Sequence, residues 1–256
     1  MRSYLPELFA LPLYPLLYLQ GKHTRRVTLR LPEAGGPDSG IARPPDGQSA
    51  LAPTLRLLCL GESPVAGVGV ATHEQAISGQ LARQLAQDQQ ATVSWQALGR
   101  NGADLAQALQ HLVPQLPAST PAVDIVLIAF GVNDTTAFRP AARYRAELAQ
   151  LIRIVQAKVA PAQIILSGVP PIHAFPALPQ PLRFVLGCKA RVLDQVARQV
   201  ADSFANVQYV AMQLDSGDPA LMAEDGYHPS EKGVQAWAAQ LGRAIRLSIV
   251  QPAPKK

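Results

Sequence analysis

From residue 55 onward, short apolar runs alternate with longer stretches in which apolar positions recur three or four apart. Short β-rich runs separated by helix-period segments predict βαβ units and a mostly parallel sheet. LRLLCL (55–60), TVSWQAL (92–98), DIVLIAF (124–130), AQIILSGV (162–169) and NVQYVAM (206–212) read as five strands. DIVLIAF is apolar at every position after its aspartate, the pattern of a central strand buried on both faces. Helices are predicted over 72–90, where Ile77, Leu81 and Leu85 share a face, and over 103–116, closed around Pro114. Three more follow over 139–159 with Pro140 in the first turn, over 181–204, and over 230–250 with Ser230 as its cap. Five strands covered by helices make a three-layer α/β/α sandwich, and the length suits one main domain, placed at 51–256.

The first fifty residues form an apolar, proline-rich arm. It is apolar from Leu5 to Leu19 but holds Glu7, Pro12 and Pro15, and it is too short to cross a bilayer as a helix. A single arginine at its start, prolines in its apolar core and no small-residue cleavage site make it a poor secretory signal. Two readings stay open. In one the arm lies over the surface of the main domain; in the other it rests in a membrane interface with Lys22, Arg25 and Arg26 facing lipid phosphates. A cytoplasmic location is expected, with membrane association as the consequence of the second reading.

The net charge of +5 and pI of about 9.4 raise nucleic acid as a partner, but the cations are scattered, with Arg25–Arg26 and Lys255–Lys256 as the only tight pairs. No nucleic-acid partner is expected. Cys59 and Cys188 make no disulfide framework, and Cys59 falls inside a strand-like run as a small hydrophobe. Five histidines without metal-ligand spacing and the lack of a CxxC point to no metal and no cofactor.

In open α/β sheets ligands bind outside the carboxyl ends of the strands, so the residues that follow each strand are the informative ones. After the first strand comes GES with Ser63, after the second GRNG with Gly102, after the third GVND with Asn133 and Asp134, and beyond the fifth DGYHP with Asp225 and His228. These are the parts that acyl transfer needs. A serine hydroxyl is a weak nucleophile until an imidazole takes its proton, and the imidazole needs a carboxylate to fix its tautomer. The developing oxyanion needs preset donors, here the N–H groups of Ser63 and Gly102 and the amide of Asn133. Each residue has an ordinary alternative: Ser63 as a helix cap, Asn133 and Asp134 as a turn, Asp225 and His228 as loop polar groups.

The four blocks, in this order, resemble those of the SGNH hydrolases, also called GDSL esterases and lipases, over roughly 55–250. The resemblance implies a flavodoxin-like sheet and a catalytic set of Ser63, His228 and Asp225, with Ser63, Gly102 and Asn133 around the oxyanion. Two departures stand out. Glu62 replaces the family's aspartate, which alters the bracing of the loop, and Pro64 follows the serine, which biases Ser63 away from helical geometry. The absence of G-x-S-x-G argues against an α/β-hydrolase nucleophile elbow.

His173 lies in a proline-rich loop after the fourth strand that should overhang the crevice, and with Phe175, Leu178 and Leu182 it is a candidate wall of an acyl pocket beside Glu62 and Asp134. His73 and His111 fall on predicted helices. The expected function is hydrolysis of carboxylic esters with short to medium acyl chains, through an acyl-enzyme on Ser63. The partner is then a small-molecule ester or acylated substrate. Acyl transfer by the same residues, or a binding module that keeps the fold, are the alternatives.

Overall fold

The computed structural model describes residues 5–45, 54–117, 122–213 and 218–245, with side chains from residue 10 onward. The predicted 51–53 and 246–250 fall outside this set. The strands are β1 (Ser39–Ala42), β2 (Thr54–Gly61), β3 (Thr92–Gly99), β4 (Ile125–Ala129), β5 (Gln163–Ser167) and β6 (Val207–Val210). The longer helices are α1 (Leu5–Val27), α2 (Ile77–Gln89), α5 (Ala141–Val159), α6 (Leu182–Ala201) and α7 (Glu231–Ala244), with short α3 (Leu105–Gln107) and α4 (Val132–Thr136) between them.

The sheet order is β1-β3-β2-β4-β5-β6. The five predicted strands run parallel as β3-β2-β4-β5-β6, the flavodoxin-like order. The expected five-stranded sheet has six strands: β1 adds antiparallel to β3, pairing Ser39 with Gln96 and Ala42 with Val93. An isolated four-residue strand with alternating exposure carries too little apolar signal to be read in advance.

Alternation along the buried strands divides the core. Leu58 and Leu60 of β2, with Val126 and Ile128 of β4, pack with α5 and α6; Leu57, Cys59, Ile125 and Leu127 pack with α2 and α7. All five residues of β4 are buried, as its continuous apolar run requires.

Three helices depart from expectation. Residues 72–76 form turns, with the Gln75 side chain accepting from Thr72 N–H, so α2 starts at Ile77 and His73 is not helical. The third helix has a capping box of Asp104 and Gln107, then widens to a π-type turn over Ala108–Leu112 that holds His111, and tightens to a 3-10 turn over Val113–Gln115 that takes Pro114 near its start. The apolar arm is helical through Pro12 and Pro15, both on its exposed side. Burial of a stripe at residues 10, 13, 17 and 24 explains this: Leu17 and Thr24 are buried and Ala10 and Leu13 pack on the core. Gln20 anchors the helix to the start of α6, donating to Gln180 O at 2.7 Å and accepting from Leu182 N–H at 3.1 Å.

Candidate active site

The strand order reverses between β2 and β4, which lie side by side, and that switch point is where a doubly wound sheet opens a crevice. Ser63 follows β2 and Asn133 follows β4, so both stand at this edge.

Beyond Gly61 the chain turns at once. Glu62 N–H continues the ladder to Ala129 O, while Glu62 O accepts from Val65 and Ala66 N–H. A Cβ on Gly61 would stand 2.4 Å from Val65 and 2.7 Å from Ala129 O, so only glycine permits so sharp a turn. Residues 64–69 form successive turns and no regular helix, and Ser63 caps nothing with its side chain. Its hydroxyl faces His228 Nε2 at 3.0 Å.

His228 is held by its own loop. Asp225 Oδ1 accepts from the N–H groups of Tyr227 and His228 at 2.9 and 3.0 Å, folding the segment into a tight turn through Gly226, whose φ of +62° disfavours a side chain. The other oxygen, Oδ2, lies 2.6 Å from His228 Nδ1. Burial alone would raise the Asp225 carboxyl, but the ring of His228 and the two N–H groups outweigh it and hold it below the usual carboxylate range. A carboxylate that stays ionised fixes the proton on Nδ1 and leaves the Nε2 lone pair toward the Ser63 hydroxyl.

Glu62 is 4% exposed, and its carboxylate accepts from Val132 N–H at 3.0 Å, Asn133 N–H at 3.1 Å and Asn133 Nδ2 at 2.6 Å. Burial pushes its carboxyl up to about 7 against the pull of these donors. The extra methylene over aspartate lets the carboxylate reach the Asn133 side chain, which is the altered bracing expected of this departure. Asn133 Nδ2 also donates to Ala103 O at 3.2 Å. Both of its hydrogens are thus engaged, the second more weakly. The N–H groups of Ser63 and Gly102 have no acceptor among the described residues.

Asp134 is fully buried and accepts from Leu105 N–H at 3.2 Å and Arg139 Nε at 3.3 Å; burial raises its carboxyl to about 6. It braces the start of α3 against α4 and does not reach the cavity. His173 is also elsewhere: it is exposed on a 3-10 turn against Gly187 of α6. Its loop points that side chain away from the crevice, while Phe175, two residues on, turns inward. Leu178 and Leu182 fill the main core instead of the pocket.

Ser63 and His228 stand in the wall of a cleft open to solvent, with roughly 560 Å³ of empty space counted out to its mouth. Its lining is mostly apolar, with Phe130, Phe175, Met212, Met222, Tyr227 and Trp237. Tyr227 meets Phe175 edge-on, with ring centroids 5.2 Å apart, and His228 with centroids 5.3 Å apart. Met212 lies just past β6, so the rule that points to strand ends would have found it; Met222 and Trp237 come from a loop and from α7, with no such signal. Among the described residues no cluster of His, Cys, Asp or Glu could hold a metal ion.

The fold and site define a flavodoxin-like α/β protein with serine, histidine and aspartate hydrogen-bonded in series at the switch point of its sheet. A sequence profile of the GDSL-like Lipase/Acylhydrolase family matches residues 59–236. The chain belongs to that family, whose reaction class is hydrolysis of acyl esters. Solved structures agree on the fold. A lipase/acylhydrolase from Enterococcus faecalis is 21% identical with a TM-score of 0.55, over 74% of this chain and 94% of that one. An extracellular lipase from Streptomyces rimosus is 19% identical with a TM-score of 0.57, over 75% and 100%. The acetylxylan esterase Axe2 from Geobacillus stearothermophilus is 20% identical with a TM-score of 0.54, over 78% and 98%. No curated protein sequence matches the chain significantly.

Proposed function

We propose that this protein is a serine hydrolase of carboxylic esters that works through an acyl-enzyme. The observation that carries this reading is the unbroken series from Asp225 Oδ2 through the His228 ring to Ser63 Oγ at the wall of an apolar cavity. His228 Nε2 accepts the Ser63 proton as Oγ bonds to the ester carbonyl carbon, and the carbonyl electron pair moves onto oxygen. The N–H groups of Ser63 and Gly102 receive that oxyanion. Asn133 joins them by giving up its longer contact with Ala103 O, while Glu62 keeps hold of the amide. Collapse breaks the bond to the alcohol, which leaves with the proton from His228. Water then repeats the sequence on the acyl-enzyme and frees the acid.

The apolar lining favours an uncharged acyl group of short to medium length. Both lipases and acetylxylan esterases share the fold, so the likeness to them leaves the acyl length to the cavity. Hydrolysis of p-nitrophenyl butyrate by the parent protein and by Ser63→Ala tests the reading. The parent should turn over the ester and the variant should be inactive with an unchanged melting curve; turnover surviving in folded Ser63→Ala protein refutes it.

A further inference from the structure

The outward side of α1 is apolar for no reason that folding supplies. Its inner stripe is satisfied by the core and by the Gln20 contacts with the start of α6. Yet of the nine large hydrophobic residues exposed among the described residues, six lie on this helix, with Leu11 at 78%, Tyr14 at 63% and Leu19 at 61%. Surface helices ordinarily turn charged and polar side chains to water. Tyr14 and Tyr18 stack on each other along this side, ring centroids 6.2 Å apart, and no other element among the described residues covers them. The polarity changes abruptly along the helix: its last turns carry Lys22, Arg25 and Arg26, all exposed, and there is no carboxylate between Leu11 and Val27.

We propose that this face of α1 docks the protein on the surface of an anionic lipid bilayer. Leu11, Tyr14, Tyr18 and Leu19 enter the boundary between headgroups and acyl chains, and Lys22, Arg25 and Arg26 meet lipid phosphates. Charge complementarity selects this occupant, because an apolar protein partner would leave three adjacent cations unanswered, whereas a bilayer of anionic lipid offers both layers at the needed depths. The aromatic and basic side chains sit where interfacial helices place them. No helix among the described residues is long and apolar enough to cross a membrane, so the contact is peripheral.

The docking surface does not depend on the hydrolase reading, and the test keeps the two apart. Full-length protein is sedimented with phosphatidylcholine vesicles with and without phosphatidylglycerol. Three forms are compared: the parent, Lys22→Gln/Arg25→Gln/Arg26→Gln, and Leu11→Ser/Tyr18→Ser/Leu19→Ser. The parent should bind the anionic vesicles and leave the neutral ones. Removing three cations should weaken partitioning about 100-fold, on the scale of about tenfold for each one and a half surface charges. The serine variant should lose binding as well. All substituted positions are exposed, so melting curves and hydrolysis of a soluble ester should match the parent. Parent protein that fails to bind anionic vesicles overturns the proposal. So does a parent dimer that the serine variant converts to monomer with vesicle binding intact, since a second copy would then be the occupant.

Discussion

Replacing Glu62 by glutamine removes a buried titration without removing the side chain's reach. In the folded protein burial lifts this carboxyl from an ordinary 4.5 to about 7. Between those values the folded protein binds a proton that the unfolded chain has released. The stability this group contributes is therefore complete below pH 4.5, falls as pH rises, and is gone above about pH 7. Integrated from pH 5 to pH 8, the loss is on the order of 2 to 3 kcal/mol. Asp134 titrates with the same sign and its charge helps raise Glu62, so the comparison reads the Glu62 titration together with its coupling to Asp134. Glutamine also leaves one of the three donors from Val132 and Asn133 facing an amide N–H, a penalty of about 1–3 kcal/mol that does not vary with pH. Urea unfolding of parent and Glu62→Gln at pH 5 and pH 8 reads the difference. The gap between their midpoints should shift in favour of the variant by on the order of 1 M over that interval. A gap that stays constant across it would mean that Glu62 is not held in a raised state, and the reasoning fails.

Three further outcomes follow from the site. Asp225→Asn keeps an oxygen for the Tyr227 and His228 N–H groups but turns an amide toward His228 Nδ1, which forces the proton onto Nε2; kcat for ester hydrolysis should fall about 10⁴-fold with little change in melting temperature. Recovery of parental kcat in that variant would remove the tautomer argument. Met212→Trp narrows the cavity beyond β6, so kcat/KM for octanoyl esters should drop at least tenfold more than for acetyl esters, and an equal effect on both would move the acyl group elsewhere. Glu62→Ala should lower kcat by up to about 100-fold, with KM little changed, because Asn133 loses the anchor that aims it; an unchanged kcat would show that the oxyanion needs only the two N–H groups.

Much of the arrangement was legible because its parts announce themselves locally. Leu57–Leu60 and Ile125–Ala129 are unbroken apolar runs, and runs of that kind become central strands whatever lies around them. Ser63, Gly102, Asn133 and the Asp225–His228 pair could be found because each sits where a strand or its following loop ends, and sheet topology then carries them to one edge. What escaped depends on contacts far apart in the chain. β1 exists only because Ser39–Ala42 meets β3, and α1 persists through two prolines only because α6 offers a partner for its inner stripe. The His173 side chain and its neighbour Phe175 differ in direction, not in kind, and a sequence does not state direction within an irregular loop. Glu62 was visible as a departure, but its grip on Asn133 is a matter of side-chain length against a turn seventy residues away.

The central claim is that Ser63 owes its reactivity to His228. Intact-mass and peptide analysis after exposure to a fluorophosphonate reads this in a single reaction. The account predicts one phosphonyl group per chain, on Ser63, formed quickly in the parent and at least a thousandfold more slowly in folded His228→Ala protein. A parent that takes up no label, or that carries it on another residue, contradicts the account.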